Sequence, residues 1–119
     1  MEANKVQLID KTKNKVIVSH LKKASSFSER LVGLLSKTSL KDNEGLWIPH
    51  CNSIHTFFMK FPIDAVFVNK QLIVQTLHPH LQPWRITWPN LKAHSVFELP
   101  SGSIQKYQIE RGDQLDVGP

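Results

Sequence analysis

The residue types best suited to chemistry in this sequence are concentrated between positions 51 and 60. If this segment is a strand, alternation places one set of side chains on the same face: Cys51, Ser53, His55, Phe57 and Met59. A thiol, an imidazole and a thioether in one row are ligands that soft metal ions such as Cu(I) prefer. Side chains two apart on a strand are about 6.6 Å apart, so one ion would need a further ligand such as His50 or His78. We therefore expect no metal and no cofactor. The alternative to a metal site is a buried apolar face that carries one hydrogen-bonded histidine.

Acid–base chemistry would combine His55 with Asp64 or Glu98. Each carboxylate sits in otherwise apolar, strand-like sequence, where an ionised group is costly unless it is paired or hydrogen-bonded. Arg30 is a candidate partner because its planar guanidinium can hold a carboxylate bidentately. The alternative to catalysis is thus a structural ion pair of Arg30 with Asp64 or Glu98. No nucleophile elbow, glycine-rich phosphate loop or paired metal-binding carboxylates accompanies these residues, which favours a protein that is not an enzyme.

A third feature is an irregular loop, residues 78–92, in which prolines alternate with aromatic residues. It contains Trp84, Arg85 and Trp88, and such amphipathic side chains are enriched where small ligands or partners dock. The alternative is that both indoles close one end of the core. We predict that a ligand-binding site joins this loop to the His55 segment through four residues: His55, Met59, Trp84 and Arg85.

The composition indicates one globular domain, residues 1–119, with 40% hydrophobic and 21% charged residues. The longest apolar run is four residues, Ala65–Val68, which excludes a transmembrane helix. A single cysteine excludes an internal disulfide and a multi-cysteine zinc site. Residues 1–41 hold nine Lys or Arg against three Asp or Glu. These lysines lack interleaved aromatic residues, so they indicate a solvated basic face and no specific nucleic-acid partner.

The elements that must position these residues are mostly strands. Hydrophobic periodicity and turn residues predict strands at 6–10, 15–19, 46–48, 53–59, 63–68, 72–77, 94–99 and 114–117, with a helical turn at 103–109. Ser26 and Glu29 have capping-box spacing before apolar residues that recur at helical intervals, which predicts one amphipathic helix near 27–36. Gly33 inside it indicates a close backbone approach. The predicted fold class is mainly β, bordering on α+β, as a barrel-like or half-open domain.

Five ordered motifs between Arg30 and Asp116 resemble the domain-of-unknown-function 192 family. They are Arg30–Leu35, Gly45–Trp47, His55–Lys60 with Pro62–Asp64 and Val66–Phe67, Phe97–Gly102, and Ile109–Leu115. This sequence departs from the family pattern at three positions, which are occupied by Leu35, Phe97 and Gln108. The resemblance covers a family-like core of about residues 27–117. It implies a small, mainly β fold whose biochemical activity is not established, and export or a cell-envelope location for many members.

Taken together, residue chemistry and resemblance predict a binding module for a small molecule or a cell-envelope component. The alternative is a small, hydrolase-like acid–base enzyme centred on His55 with Asp64 or Glu98. The first residues contain no apolar stretch of a secretory signal, which favours a cytoplasmic location, whereas the resemblance favours export. The sequence carries no signature of a particular oligomeric state.

Overall fold

The computed structural model describes residues 6–24 and 39–119 of the chain. The helix predicted near 27–36, with Gly33 and the candidate ion-pairing residue Arg30, lies outside the described residues. Within the described ranges the elements are β1 (Gln7–Asp10), β2 (Lys15–Val18), β3 (His20–Lys23), β4 (Glu44–Pro49), β5 (Ile63–Val68), β6 (Val74–Leu81), β7 (Ser95–Pro100), α1 (Ser103–Tyr107) and β8 (Leu115–Gly118). The described part of the chain has no helix long and apolar enough to cross a bilayer.

The strands form two sheets. The smaller has the order β2-β1-β8 and is antiparallel, and the larger has the order β3-β4-β7-β5-β6. In the larger sheet β3 runs parallel to β4, and the other neighbours are antiparallel. The prediction of a mainly β fold is confirmed. Barrel closure is not observed among the described strands, because β3 and β6 each have one neighbour in the larger sheet and stand at its two edges.

At the centre of the larger sheet both faces are buried, as the uninterrupted burial of β5 shows. One face packs against the smaller sheet, with Val66, Phe97 and Leu99 meeting Leu8 and Leu115. The opposite face is covered by apolar residues of the chain that follows β4, namely Ile54, Met59 and Phe61. The segment between β4 and β5 therefore acts as a lid on the sheet, and this packing fixes where its polar residues can point.

The strand predicted over 53–59 is wrong. This segment is irregular, and a single bridge pairs His55 with Ile86. Ile54 and Thr56 point inward and are buried, but Phe58 then adopts a left-handed backbone with φ 68°. The reversal changes the parity of the segment, so that Met59 is buried in the core instead of sharing a face with His55.

Two further boundaries differ from the sequence prediction. β6 extends from Val74 to Leu81, so the first residues of the predicted 78–92 loop are strand and irregular backbone begins at residue 82. β3 was not predicted, because only Leu21 of its four residues is buried and so short a segment shows no alternation. The predicted helical turn after residue 103 is present as α1.

Candidate functional site

Two irregular segments, residues 50–58 and 84–94, lie side by side and are called the paired loops. They run antiparallel: as the residue number increases along the first segment, the number of its bonded partner in the second segment decreases. The backbone bonds join Thr56 N to Arg85 O (2.8 Å), Trp84 N to Thr56 O (3.0 Å), Thr87 N to Ile54 O (2.9 Å), Asn90 N to Asn52 O (3.1 Å) and Cys51 N to His94 O (2.9 Å). Backbone bonds therefore make the His55 segment and the Trp84 loop neighbours, and the ligand-binding site predicted between them stays a prediction.

Two buried threonines fasten the paired loops. Thr56 Oγ1 donates to the carbonyl oxygen of Gln82 at 2.6 Å and accepts a hydrogen bond from the Arg85 N–H at 2.9 Å. Thr87 Oγ1 accepts a hydrogen bond from the Ile54 N–H at 3.0 Å. Both side chains are almost completely buried, where an unsatisfied backbone group would be costly. The loops are thus held by internal bonds that water cannot easily replace.

The outward side of the paired loops carries a row of rings. The imidazole of His55 stacks on Phe57 with centroids 4.7 Å apart, and Phe57 stacks on Trp84 at 5.9 Å. Phe58 meets Trp84 edge to face at 4.7 Å. The Nδ1 atom of His55 also accepts a hydrogen bond from the Phe57 N–H at 3.3 Å. These contacts bring His55 and Trp84 into one aromatic cluster.

Large apolar side chains are unusually exposed here. Exposed fractions are 64% for Phe58, 56% for Trp84, 70% for Ile86 and 90% for both Trp88 and Leu91. Among the described residues only Val16, on β2, is a further exposed large hydrophobic. We call Phe58, Trp84, Ile86, Trp88 and Leu91 the aromatic surface. Scattered apolar residues need no explanation, whereas a concentration on one pair of loops is typical of an interaction site.

Two members of this surface have a strained backbone. Phe58 has φ 68° and Trp84 has φ 64°, both in the left-handed region. Bulky side chains rarely adopt this conformation, which costs about 1–2 kcal/mol per residue. Such strain persists only where surrounding contacts enforce it, and it is concentrated at functional sites. Sequence reasoning missed it because neither residue is of a type that favours a left-handed turn.

The two carboxylates proposed for acid–base chemistry point to opposite faces of the larger sheet. In the β5–β7 register Asp64 faces Leu99, whereas Glu98 faces Ala65, and successive strand residues alternate between faces. Leu99 belongs to the core shared with the smaller sheet and Ala65 to the core under the lid. Asp64 and Glu98 are both fully buried. They cannot serve one site together, and only Glu98 is on the side of the sheet where the paired loops lie.

Asp64 has a structural task. Its Oδ1 atom accepts hydrogen bonds from the N–H groups of His80 (2.8 Å) and Gly102 (3.0 Å), and its Oδ2 atom accepts one from Ile104 (2.7 Å). One carboxylate therefore ties β5 to the end of β6 and to the start of α1. These backbone donors satisfy the buried carboxylate, whose burial the strand pattern predicts, and the proposed pairing of Arg30 with Asp64 or Glu98 lies outside the described residues.

The other predicted residues are placed differently. Met59 is buried in the core under the lid, so its thioether does not contribute to the aromatic surface. Arg85 is exposed and follows Trp84, a member of that surface. His50, Cys51 and His94 line a cleft of about 310 Å³. Burial lowers the pKa of the His78 imidazole, which meets Phe67 edge to face. In the described ranges no three His, Cys, Asp or Glu side chains come together as a metal site would require.

A charged cluster on the smaller sheet was not anticipated. Lys13 Nζ lies 2.7 Å from Glu110 Oε1 and 3.0 Å from Asp113 Oδ2. Asp113 and Asp10 are both buried. Burial, together with a hydrogen bond to Asp113, raises the pKa of Asp10 to about 6. Asp10 and Lys13 lie about 100 residues from Glu110 and Asp113 and meet them because β1 pairs with β8, so spacing within the sequence gives no indication of the cluster.

The sequence is similar to proteins of one family. A family model described as DUF192, uncharacterized ACR, matches residues 8–117. A UPF0127 protein of Thermococcus sibiricus is 34% identical over 113 residues, which cover 92% of this chain and 73% of that protein.

Two solved structures share the fold. One, from Sinorhizobium meliloti 1021 and described as a candidate transcription regulator, has a TM-score of 0.79 at 19% identity and covers 95% of this chain and 92% of its own. The other, a protein of unknown function from Novosphingobium aromaticivorans, has a TM-score of 0.76 at 23% identity, with coverage of 94% and 83%. At these identities the likeness extends to the fold alone.

Proposed function

This chain belongs to the DUF192 family of uncharacterized proteins, and we propose that it is a binding module whose ligand docks on the aromatic surface. The ligand is a small molecule or a cell-envelope component that offers an apolar or planar face to Trp84 and Phe58. His55 and Arg85 supply polar contacts at the edge of this surface, since His55 belongs to the same ring cluster and Arg85 follows Trp84.

The observation that carries the proposal is the pair Phe58 and Trp84. Both rings are more than half exposed, both backbones are left-handed, and the rings contact each other at 4.7 Å. Neither burial nor backbone preference accounts for this arrangement, because exposed apolar rings gain little from folding and the backbone is strained. A surface that is kept rigid and exposed at such a cost is typical of a site that contacts a ligand.

Binding also needs fewer special groups than catalysis does. The enzyme alternative requires an ionisable partner for His55. The Asp64 carboxylate is occupied by three backbone N–H groups across the sheet, which leaves the fully buried Glu98 as the carboxylate on the side of the paired loops. A binding surface requires only that its rings be preorganised, and the bonds of Thr56 and Thr87 between the paired loops supply this.

The proposal can be tested by ligand-observed NMR with a library of aromatic and aliphatic fragments. We expect hits whose saturation-transfer signal is lost in Trp84→Ala and in Phe58→Ala. Val16→Ala is the matched control, because it truncates an exposed hydrophobic side chain on the smaller sheet.

Thermal unfolding of each variant distinguishes loss of a site from loss of the fold. Retained folding with lost binding supports the proposal. Unfolding of both Trp84→Ala and His55→Ala would instead assign these rings to the core, and hits that survive Trp84→Ala would place the site elsewhere.

A further inference from the structure

The aromatic surface projects outward. Trp88 and Leu91 are each 90% exposed, so almost nothing of the protein surrounds them. A site for a free small molecule is a cleft that buries most of the ligand. Side chains that stand this far from their neighbours suit a partner that surrounds them instead, as the interfacial region of a bilayer surrounds an inserted tryptophan.

The exposed charged side chains of the segment that carries this surface have one sign. Between Glu44 and Glu98 the sequence contains a single acidic residue, Asp64, and that carboxylate is fully buried on the far face of the sheet. Exposed basic side chains in or beside the paired loops are Lys60, Arg85 and Lys92. Positive charge close to exposed tryptophan and leucine complements a surface that is both anionic and apolar within a few ångströms.

The backbone beneath the aromatic surface can tolerate a dry environment. The N–H groups of Thr56, Trp84, Thr87 and Asn90 all donate to carbonyl oxygens within the paired loops. Irregular backbone normally resists transfer out of water, because each unsatisfied polar group costs free energy. Internal pairing removes much of that cost, so the tips of the loops can enter the region between lipid headgroups and acyl chains.

We propose that the partner of the aromatic surface is an anionic lipid bilayer. This inference rests on the function proposed above and names its ligand class. Trp84, Trp88 and Leu91 insert at the boundary between headgroups and acyl chains, and Arg85 and Lys92 contact lipid phosphates. The domain then sits on the membrane with the larger sheet behind the loops, and no segment needs to span the bilayer.

The test is co-sedimentation of the full chain with large vesicles of phosphatidylcholine alone and of phosphatidylcholine with phosphatidylglycerol. We expect binding to the anionic vesicles that weakens as salt is raised. The double variant Trp88→Ala with Leu91→Ala should bind more weakly by about tenfold for each side chain removed. Val16→Ala controls for the loss of an exposed apolar side chain and should bind like the parent protein.

A second pair of variants tests the charge. Arg85→Gln with Lys92→Gln should weaken binding by about fivefold for each charge. Lys11→Gln with Lys41→Gln removes the same net charge from exposed positions in the β1–β2 turn and ahead of β4, and it should have a much smaller effect. Equal losses in the two double variants would overturn the inference, because binding would then follow net charge rather than this surface.

Other outcomes also overturn it. Equal binding to both kinds of vesicle would remove the anionic requirement, and full binding by the Trp88 and Leu91 double variant would remove the insertion. If vesicles fail to bind while soluble fragments still give signals that require Trp84, the bilayer is the wrong partner and the proposed binding function stands. If neither vesicles nor fragments bind, both proposals fail.

Discussion

Phe58 and Trp84 face each other across the paired loops at 4.7 Å, and each holds a left-handed backbone that its own side chain disfavours. Glycine adopts this conformation without penalty. We therefore expect Phe58→Gly to be more stable than Phe58→Ala by about 1 kcal/mol, although both lose the ring. Urea unfolding of the two variants measures the difference in the free energy of unfolding.

Ile86 supplies the matched control for this comparison. It is also exposed on the paired loops, but its φ is not positive. There Gly should be less stable than Ala, because glycine loses more chain entropy on folding. If Gly were less stable than Ala at Phe58 as well, the left-handed backbone at Phe58 would not be strained.

The Asp64 carboxylate should be essential to folding. Replacing it with Asn leaves one side-chain oxygen for three backbone donors and turns an amide N–H₂ group toward them. We expect Asp64→Asn and Asp64→Ala each to cost about 3 kcal/mol or more, since charge-assisted bonds to buried donors are lost. Asp116→Asn, at an exposed position on β8, should be nearly neutral. A fully stable Asp64→Asn protein would contradict a structural role for this residue.

The Asp10 carboxyl should make stability depend on pH. Its pKa is raised from 3.8 to about 6 by burial and by its hydrogen bond to Asp113. The folded protein therefore binds the proton more tightly than the unfolded chain. The stability that Asp10 contributes is fully present below pH 3.8 and is lost as the pH rises through about 6.

Asp10→Asn removes this titration and keeps a side chain that can donate to Asp113. The difference in the free energy of unfolding between Asp10→Asn and the parent protein should grow in favour of the variant between pH 4 and pH 7, by at most about 3 kcal/mol. Urea unfolding across this range measures it, and Asp42→Asn, at an exposed position, should show no such trend. A difference that does not change with pH would contradict the raised pKa.

Thr56 should control the rigidity of the paired loops. Thr56→Val preserves shape but removes the hydroxyl that bonds to Gln82 and Arg85. We expect a loss of about 1–3 kcal/mol and faster hydrogen exchange at the Arg85 and Trp84 amides. Thr12→Val, which removes the exposed acceptor of the Gln114 N–H, should leave those amides unchanged. Unaltered exchange in Thr56→Val would show that the backbone ladder alone holds the loops.

The sequence predicts most of the strands because apolar and polar residues alternate wherever one face of a strand is buried and the other is exposed. β5 was identified even though all six of its residues are buried, since Pro62 and Asn69 mark its ends. The 53–59 segment misled the same reasoning. Its residues alternate as a strand does, but the turn at Phe58 depends on contacts with Trp84, which is distant in the chain.

At the candidate site, too, the sequence predicts some features and not others. The residue types predict a ligand site that joins His55 to Trp84; the structure places the two side chains in one ring cluster, and the site stays a prediction. Met59 was assigned to the site by parity and is buried instead. The opposite orientation of Asp64 and Glu98 depends on the register between β5 and β7, which a single sequence does not encode locally.

The three tryptophans allow the most direct test of binding at the aromatic surface. Trp84 and Trp88 are exposed on the paired loops, while Trp47 stacks on Phe97 with its indole N–H buried. Indole N–H resonances should be followed by NMR as small bicelles containing phosphatidylglycerol are added. We expect the Trp84 and Trp88 resonances to shift or broaden and the Trp47 resonance to stay unchanged. Unchanged Trp84 and Trp88 resonances, or a response of Trp47 alone, would contradict binding through this surface.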